Sequence, residues 1–331
     1  MGLFRLRSLI AMLLSLAAPF SLASWQRESG QTQPAPFQWP ESGLCRLVIP
    51  NGTQYLVDYV KKHPDWFSPG ELILCLVVTR QASDSVVELE KQYQSDRQFL
   101  DSKHLIVGTY ISGTTVVPEA DEDSWPNPVV STEMLPNGVK LSEKWPGARA
   151  RWIINVADPF TRHALQTRIE SAWTKYPAPV RFVDNAGVHR SAGATQPWDG
   201  YCQNIKALRQ IAEGQRSHVV FNIATHPGAM SVAETDELMD AVGQEGILLE
   251  DPWTPYVRKS PVETERAKNR YRQLLDSGMA IVMLVNNVPA DALFDWVGTW
   301  RKAKDRLYIG VPFFKEPELP NFCRSARPAL H

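Results

Sequence analysis

Several apolar runs in this chain end in a polar group: Tyr110 and Ser112, Asp184 and Asn185, Asn222, Glu250 and Asp251, and Asn286-Asn287. Two of these endings carry carboxyl groups. Phe182-Val183-Asp184-Asn185 closes one run, and Gly246-Ile247-Leu248-Leu249-Glu250-Asp251-Pro252-Trp253 closes another. Two carboxyl groups facing each other across a cleft divide the labour that cleaving a glycosidic bond requires, one donating a proton while the other serves as nucleophile, base or electrostatic stabiliser. Asp184 and Glu250 are therefore the candidate catalytic pair. Neighbouring strand residues point to opposite sides, so only one of Glu250 and Asp251 can face that cleft. Asn222 lies between the two in sequence, an amide suited to a sugar hydroxyl, and Tyr110 offers a phenol in the same role. Asn185 and Asp251 flank the pair as further substrate-binding candidates. Trp253, Trp198 and Tyr201 offer rings on which a sugar could stack.

These residues span a long stretch of chain, so the elements that carry them must bring them to one place. Candidate strands are Arg46 to Ile49, Leu72 to Val78, Leu105 to Ile111, Val180 to Asp184, His218 to Asn222, Gly246 to Glu250, Ala280 to Val285 and Leu307 to Val311. They are short, rich in Val, Ile and Leu and almost continuously apolar, as strands covered on both faces are. Helical spacing separates them. Leu56, Tyr59, Val60 and His63 share a face, as do Leu165, Ile169, Ala172, Trp173 and Tyr176; Tyr201, Ile205, Leu208 and Ile211; and Leu293, Trp296, Val297 and Trp300. Eight strands with intervening helices predict a single-domain (β/α)8 TIM barrel over residues 44–331, whose strand carboxyl ends share one face. The alternative is an open doubly wound sheet, in one lobe or two. A ninth run, Arg151 to Val156, reads as an extra short strand outside the eight. The long loop after the third strand, Gly113 to Ala150, is rich in Pro and leaves from the carboxyl side, where it could cover a cleft.

The chain of 331 residues opens on a segment of different character. Arg5 and Arg7 precede an apolar run from Leu9 to Leu22, with small residues at Ser21 and Ala23. The run is too short to span a bilayer, so residues 1–23 read as a secretory signal peptide. Residues 24–43, rich in Gln, Ser, Pro and Gly, read as a flexible leader. A secreted or periplasmic protein is expected, with no membrane span after signal cleavage. A net charge of −1, with Lys and Arg dispersed, gives no general attraction to nucleic acid. Eleven Trp residues suit both core packing and sugar stacking. Cys45, Cys75, Cys202 and Cys323 lie far apart, so neither a metal site nor any cofactor is expected. Export permits disulfides, with three connectivities open beside buried free thiols.

Other chemistries lack their signatures. No G-x-S-x-G elbow, dinucleotide fingerprint or P-loop occurs, and the histidines show no H-E-x-x-H spacing. His189 and His226 fall on expected carboxyl-face loops, where capping or solvated roles are the ordinary ones. Asn51-Gly52-Thr53 matches an N-glycosylation acceptor.

The order of motifs resembles a known group. A strand ending in Asp184, a strand ending in Asn222 and followed by a Pro227-Gly228 loop, then a strand ending in Glu250 are together similar to the secreted barrels of the spherulin-4, endo-α-1,4-polygalactosaminidase and hypothetical glycosyl-hydrolase types. Tyr110-Ile111-Ser112-Gly113 is similar to their Tyr-hydroxyl-Gly segment, and Trp152 through Asp158-Pro159 to their Trp-Asp-Asn-Pro region. The chain departs from the group where Pro177-Ala178-Pro179-Val180-Arg181 replaces Gly-Phe-Asp-Gly. The resemblance implies a glycan-cleaving barrel with Asp184 and Glu250 as its carboxylates, their order unassigned. The rival expectation is a non-catalytic carbohydrate-binding protein on the same scaffold, or an exported sugar-binding receptor.

Overall fold

The structure is a computed structural model that describes residues 39, 43–48, 52–75, 86–116, 141–144, 152–184, 186, 198–223, 230–250, 261–284 and 306–312. These all belong to the unit Phe37–His331. Eight strands close into a parallel barrel. They are β1 (Gly43–Val48), β2 (Leu72–Cys75), β3 (Ile106–Ser112), β7 (Val180–Asp184), β8 (His218–Asn222), β9 (Gly246–Glu250), β10 (Ala280–Leu284) and β11 (Leu307–Pro312). Their order around the barrel is β1-β11-β10-β9-β8-β7-β3-β2, and β1 pairs in parallel with both β11 and β2. The expected barrel is therefore formed, and the open-sheet alternative is excluded. Three further strands, β4 (Thr115–Val116), β5 (Leu141–Lys144) and β6 (Trp152–Ile154), make an antiparallel sheet in the order β4-β6-β5 on the connection from β3 to β7. The ninth apolar run is thus β6, outside the barrel as expected. The flanking positions 117–140 and 145–150 of that long connection lie outside the described residues.

Residue alternation sets two cores. Cys45, Leu74, Phe182, Val220, Leu248 and Val282 fill the barrel interior. The intervening strand residues Val183, Val219, Phe221 and Ile247 point outward and pack with the helices. α3 (Pro159–Lys175) buries Leu165, Ile169 and Trp173, and α4 (Trp198–Gly214) buries Tyr201, Ile205 and Leu208, the stripes that the helical spacing predicts. Asp158 starts α3 by accepting a hydrogen bond from Thr161 N at 3.0 Å, with Pro159 in the first turn. Ser231 and Glu234 form a reciprocal capping box at the start of α5 (Val232–Val242). α1 (Gly52–Lys62), α2 (Val86–Ser102) and α6 (Pro261–Asp276) complete the described α-helices. The helical stripe expected around Leu293 to Trp300 lies outside the described residues.

Cys45, Cys75 and Cys202 are free thiols. β1 and β2 are neighbours, but Cys45 is paired in register with Leu72 and Cys75 with Val48, and the two side chains belong to different cores. That placement keeps them from a bridge, and burial pushes both thiols far above the ordinary range. Cys323, Asn51, His189, His226 and the segments expected as signal peptide and leader up to Phe37 lie outside the described residues.

Candidate active site

Asp184 is the last residue of β7, on the parity of the interior residues Val180 and Phe182. Its neighbours in the barrel are β3 and β8. Tyr110 Oη on β3 donates to Asp184 Oδ2 at 2.7 Å, and Asn222 Nδ2 at the end of β8 donates to Asp184 Oδ1 at 2.7 Å. Tyr110 is 5 % exposed and Asn222 3 %, whereas Asp184 is half-buried. Two neutral donors from the strands on either side thus fix the plane of one carboxyl group at the mouth of the barrel.

The backbone reinforces this grip. Gly113 N donates to Asp184 O at 2.6 Å, and Ala186 N donates to Asn222 O at 2.7 Å. The exits of β3, β7 and β8 are therefore tied to one another at residues 113, 184, 186 and 222. The register agrees, with Ser112 opposite Asp184 and Val183 opposite Phe221.

The structure distributes the remaining candidates unequally. Tyr110 and Asn222, expected to hold sugar, hold the Asp184 carboxylate. Tyr201 is 1 % exposed within the apolar core under α4, so its ring stabilises the helix and offers no stacking face, a correction to the sequence expectation. Trp198, in the first turn of α4, is half-buried against the same core, and its buried indole N–H has no hydrogen-bond partner among the described residues. Position 250 ends β9, with the backbone parity of the interior residue Leu248 and in register with Leu284 of β10. The side chain of Glu250, and with it the separation of the two carboxyl groups, lies outside the described residues, as do Asn185, Asp251, Trp253, Asn286 and Asn287. Gly113 was legible only as part of a motif, and its contact with Asp184 has no sequence periodicity to announce it. Among the described residues, no group of three His, Cys, Asp or Glu side chains is placed to hold a metal ion. No described helix is long and apolar enough to cross a membrane.

No protein-family model matches the chain, and no curated protein matches its sequence. Solved structures do match its fold. An α-amylase from Malbranchea cinnamomea is 12 % identical with a TM-score of 0.54, over 88 % of this chain and 75 % of that one. A family 20 glycoside hydrolase, a β-N-acetylglucosaminidase, is 10 % identical with a TM-score of 0.51, over 87 % and 70 %. The galactosamine complex of Aspergillus fumigatus Ega3 is 10 % identical with a TM-score of 0.50, over 83 % and 93 %. At such identities the likeness shows the fold alone, a (β/α)8 barrel. The chemistry has to be argued from the site itself.

Proposed function

We propose that this protein is a secreted glycoside hydrolase that cleaves a polysaccharide or oligosaccharide with Asp184 and Glu250. The observation that carries the reading is the Asp184 carboxylate, held at the carboxyl mouth of the barrel by Tyr110 and Asn222. That mouth is where enzymes of this fold place their reacting groups. β8 and β9 follow β7 in the ring, so Glu250 ends a strand two places from Asp184. The alternation favours Glu250 over Asp251 as the second carboxyl group.

The hydrogen bonds also favour a division of roles. A general acid must arrive protonated, whereas each oxygen of Asp184 already accepts a hydrogen bond. Asp184 is therefore assigned the anionic part, as nucleophile or stabiliser of the oxocarbenium-like transition state, and Glu250 the proton donor. A carboxyl separation of about 5 to 5.5 Å would mean retention of configuration, and about 6.5 to 9.5 Å inversion. The apolar run of residues 9–22 behind Arg5 and Arg7 supports export, and Trp253 remains the proposed stacking ring.

The test is a screen for released reducing ends across α- and β-linked polysaccharides. Galactosamine-containing polymers belong in the panel because galactosamine is bound in the Aspergillus structure. Turnover by wild type that is lost in Asp184→Asn and in Glu250→Gln supports the enzyme. Binding by wild type without turnover would instead favour a non-catalytic glycan-binding barrel.

A further inference from the structure

We propose that Gly113 is a positioning residue of this site, holding Asp184 through its N–H and through the side chain it lacks; this rests on the reading of Asp184 as a reacting group. Gly113 follows the last residue of β3 and donates to the Asp184 carbonyl at 2.6 Å. A Cβ at this position would lie 2.7 Å from Val183 Cγ1, 2.9 Å from Asp184 O and 3.4 Å from Ala186 Cα. Two of those three atoms are backbone, which cannot rotate aside. The third belongs to Val183, 0 % exposed in the helix-facing core. Close-packed surroundings of this kind yield by shifting a strand and not by local give.

The shift falls on the carboxylate grip. Tyr110 stands three residues before Gly113 on the same strand, so displacing the β3 exit from the β7 exit pulls Tyr110 Oη away from Asp184 Oδ2. The next residue, Thr114, accepts a hydrogen bond from Ile154 N at 2.7 Å, which ties the same turn to β6. The turn is thus held from the sheet side and cannot swing out freely. A larger residue at 113 transmits its volume to the reacting group while touching no substrate.

Gly113→Ala tests this. On the polysaccharide from which wild type releases reducing ends, kcat falls about 100-fold, the cost of misplacing a catalytic group by about an ångström. KM stays within roughly threefold, since sugar contacts are untouched. Val183→Ala in the same background removes the atom at 2.7 Å and restores kcat by about tenfold, although it enlarges a core cavity and lowers the melting temperature further. Rescue of rate with loss of stability is the opposite of what a merely structural glycine would give. A second arm needs no activity: a crystal structure of Gly113→Ala shows Tyr110 and Asp184 moved out of hydrogen-bonding range. Unchanged kcat, a double variant no faster than Gly113→Ala, or retention of both 2.7 Å bonds to Asp184 overturns the proposal. If wild type cleaves no glycan, the glycosidase reading falls while the crystallographic arm still decides the role of Gly113.

Discussion

The two mouths of the barrel both bury polar groups, but they use them differently. At the amino mouth Trp39 lies against His218 and Tyr308, with ring centroids 5.4 and 6.0 Å away, and a Cβ on Gly246 would come within 3.1 Å of its indole. Near the same ends of the strands, on both faces of the sheet, charges are consumed in tying elements together. Glu245 meets His218 Nδ1 at 3.0 Å and accepts from Val219 N at 2.9 Å. Arg46 is bound by Glu71 and the Trp66 carbonyl. Arg181 donates to the carbonyls of Trp173 and Tyr176 and to Thr109, Ser217 and Gln215, with burial lowering its pKa to about 10. At the carboxyl mouth the donors converge on one half-exposed carboxylate. The amino mouth spends polar groups on stability and the carboxyl mouth on aiming a side chain, the division expected of this fold.

The sharpest break of that comparison comes from Asp184→Asn. It keeps the volume and most of the hydrogen bonding, so the expected loss is about 1,000-fold in kcat with a melting temperature within a few degrees of wild type. Steady-state kinetics beside calorimetry would show both. Arg181→Leu should behave in the opposite sense. It leaves the Trp173 and Tyr176 carbonyls without their donor, at a cost of about 3 kcal/mol in denaturant unfolding, while kcat per folded molecule holds. Trp39→Ala should cost less, about 2 kcal/mol, because the ring is only half-buried before truncation. A fall in kcat at constant stability in either amino-mouth variant would dissolve the distinction between the mouths.

The sequence announced the barrel because parallel strands covered on both faces have no choice but to be apolar runs, and β7, β8 and β9 begin and end where those runs do. The small antiparallel sheet was legible only through β6. The two residues of β4 and the Leu-Ser-Glu-Lys of β5 carry too little pattern to stand out. Asp184 was visible as a polar residue ending an apolar strand, whereas its two hydrogen-bond partners were visible only as sugar-binding candidates. Tyr110 and Asn222 have the same chemistry for binding a sugar or a carboxylate, and only the strand order β8-β7-β3, which places them on either side of residue 184, brings them to the carboxylate. Tyr201 was misread although its own spacing with Ile205 and Leu208 already put it on the buried stripe. There periodicity outweighs the aromatic's suitability for stacking.

Asp96 on α2 sharpens the comparison from outside both mouths. Like Asp184 it accepts from two neutral donors, Thr53 Oγ1 and Gln92 Nε2, each at 2.7 Å. Unlike Asp184 it is sealed, at 3 % exposure, and its pKa is raised, chiefly by burial, with the two hydrogen bonds opposing and the nearby charge of Asp58 adding. A carboxyl group whose pKa is higher in the fold than in the unfolded chain binds its proton more tightly when folded. Its contribution is therefore fully present below the unfolded value of 3.8 and is lost as pH rises through the raised one. At neutral pH the ionised Asp96 costs stability that a neutral amide would not. Asp96→Asn should accordingly be slightly more stable at pH 7, the smallest effect of the set, and the gain should shrink towards zero as pH falls through the raised value and below 3.8, where wild type carries the proton itself. Melting temperatures of the two proteins across that range would show curves that converge on the acid side. A variant that is instead less stable at pH 7, with a gap that closes on acidification, would mean that the two hydrogen bonds outweigh desolvation, and that two neutral donors are enough to hold an anion even where solvent is excluded.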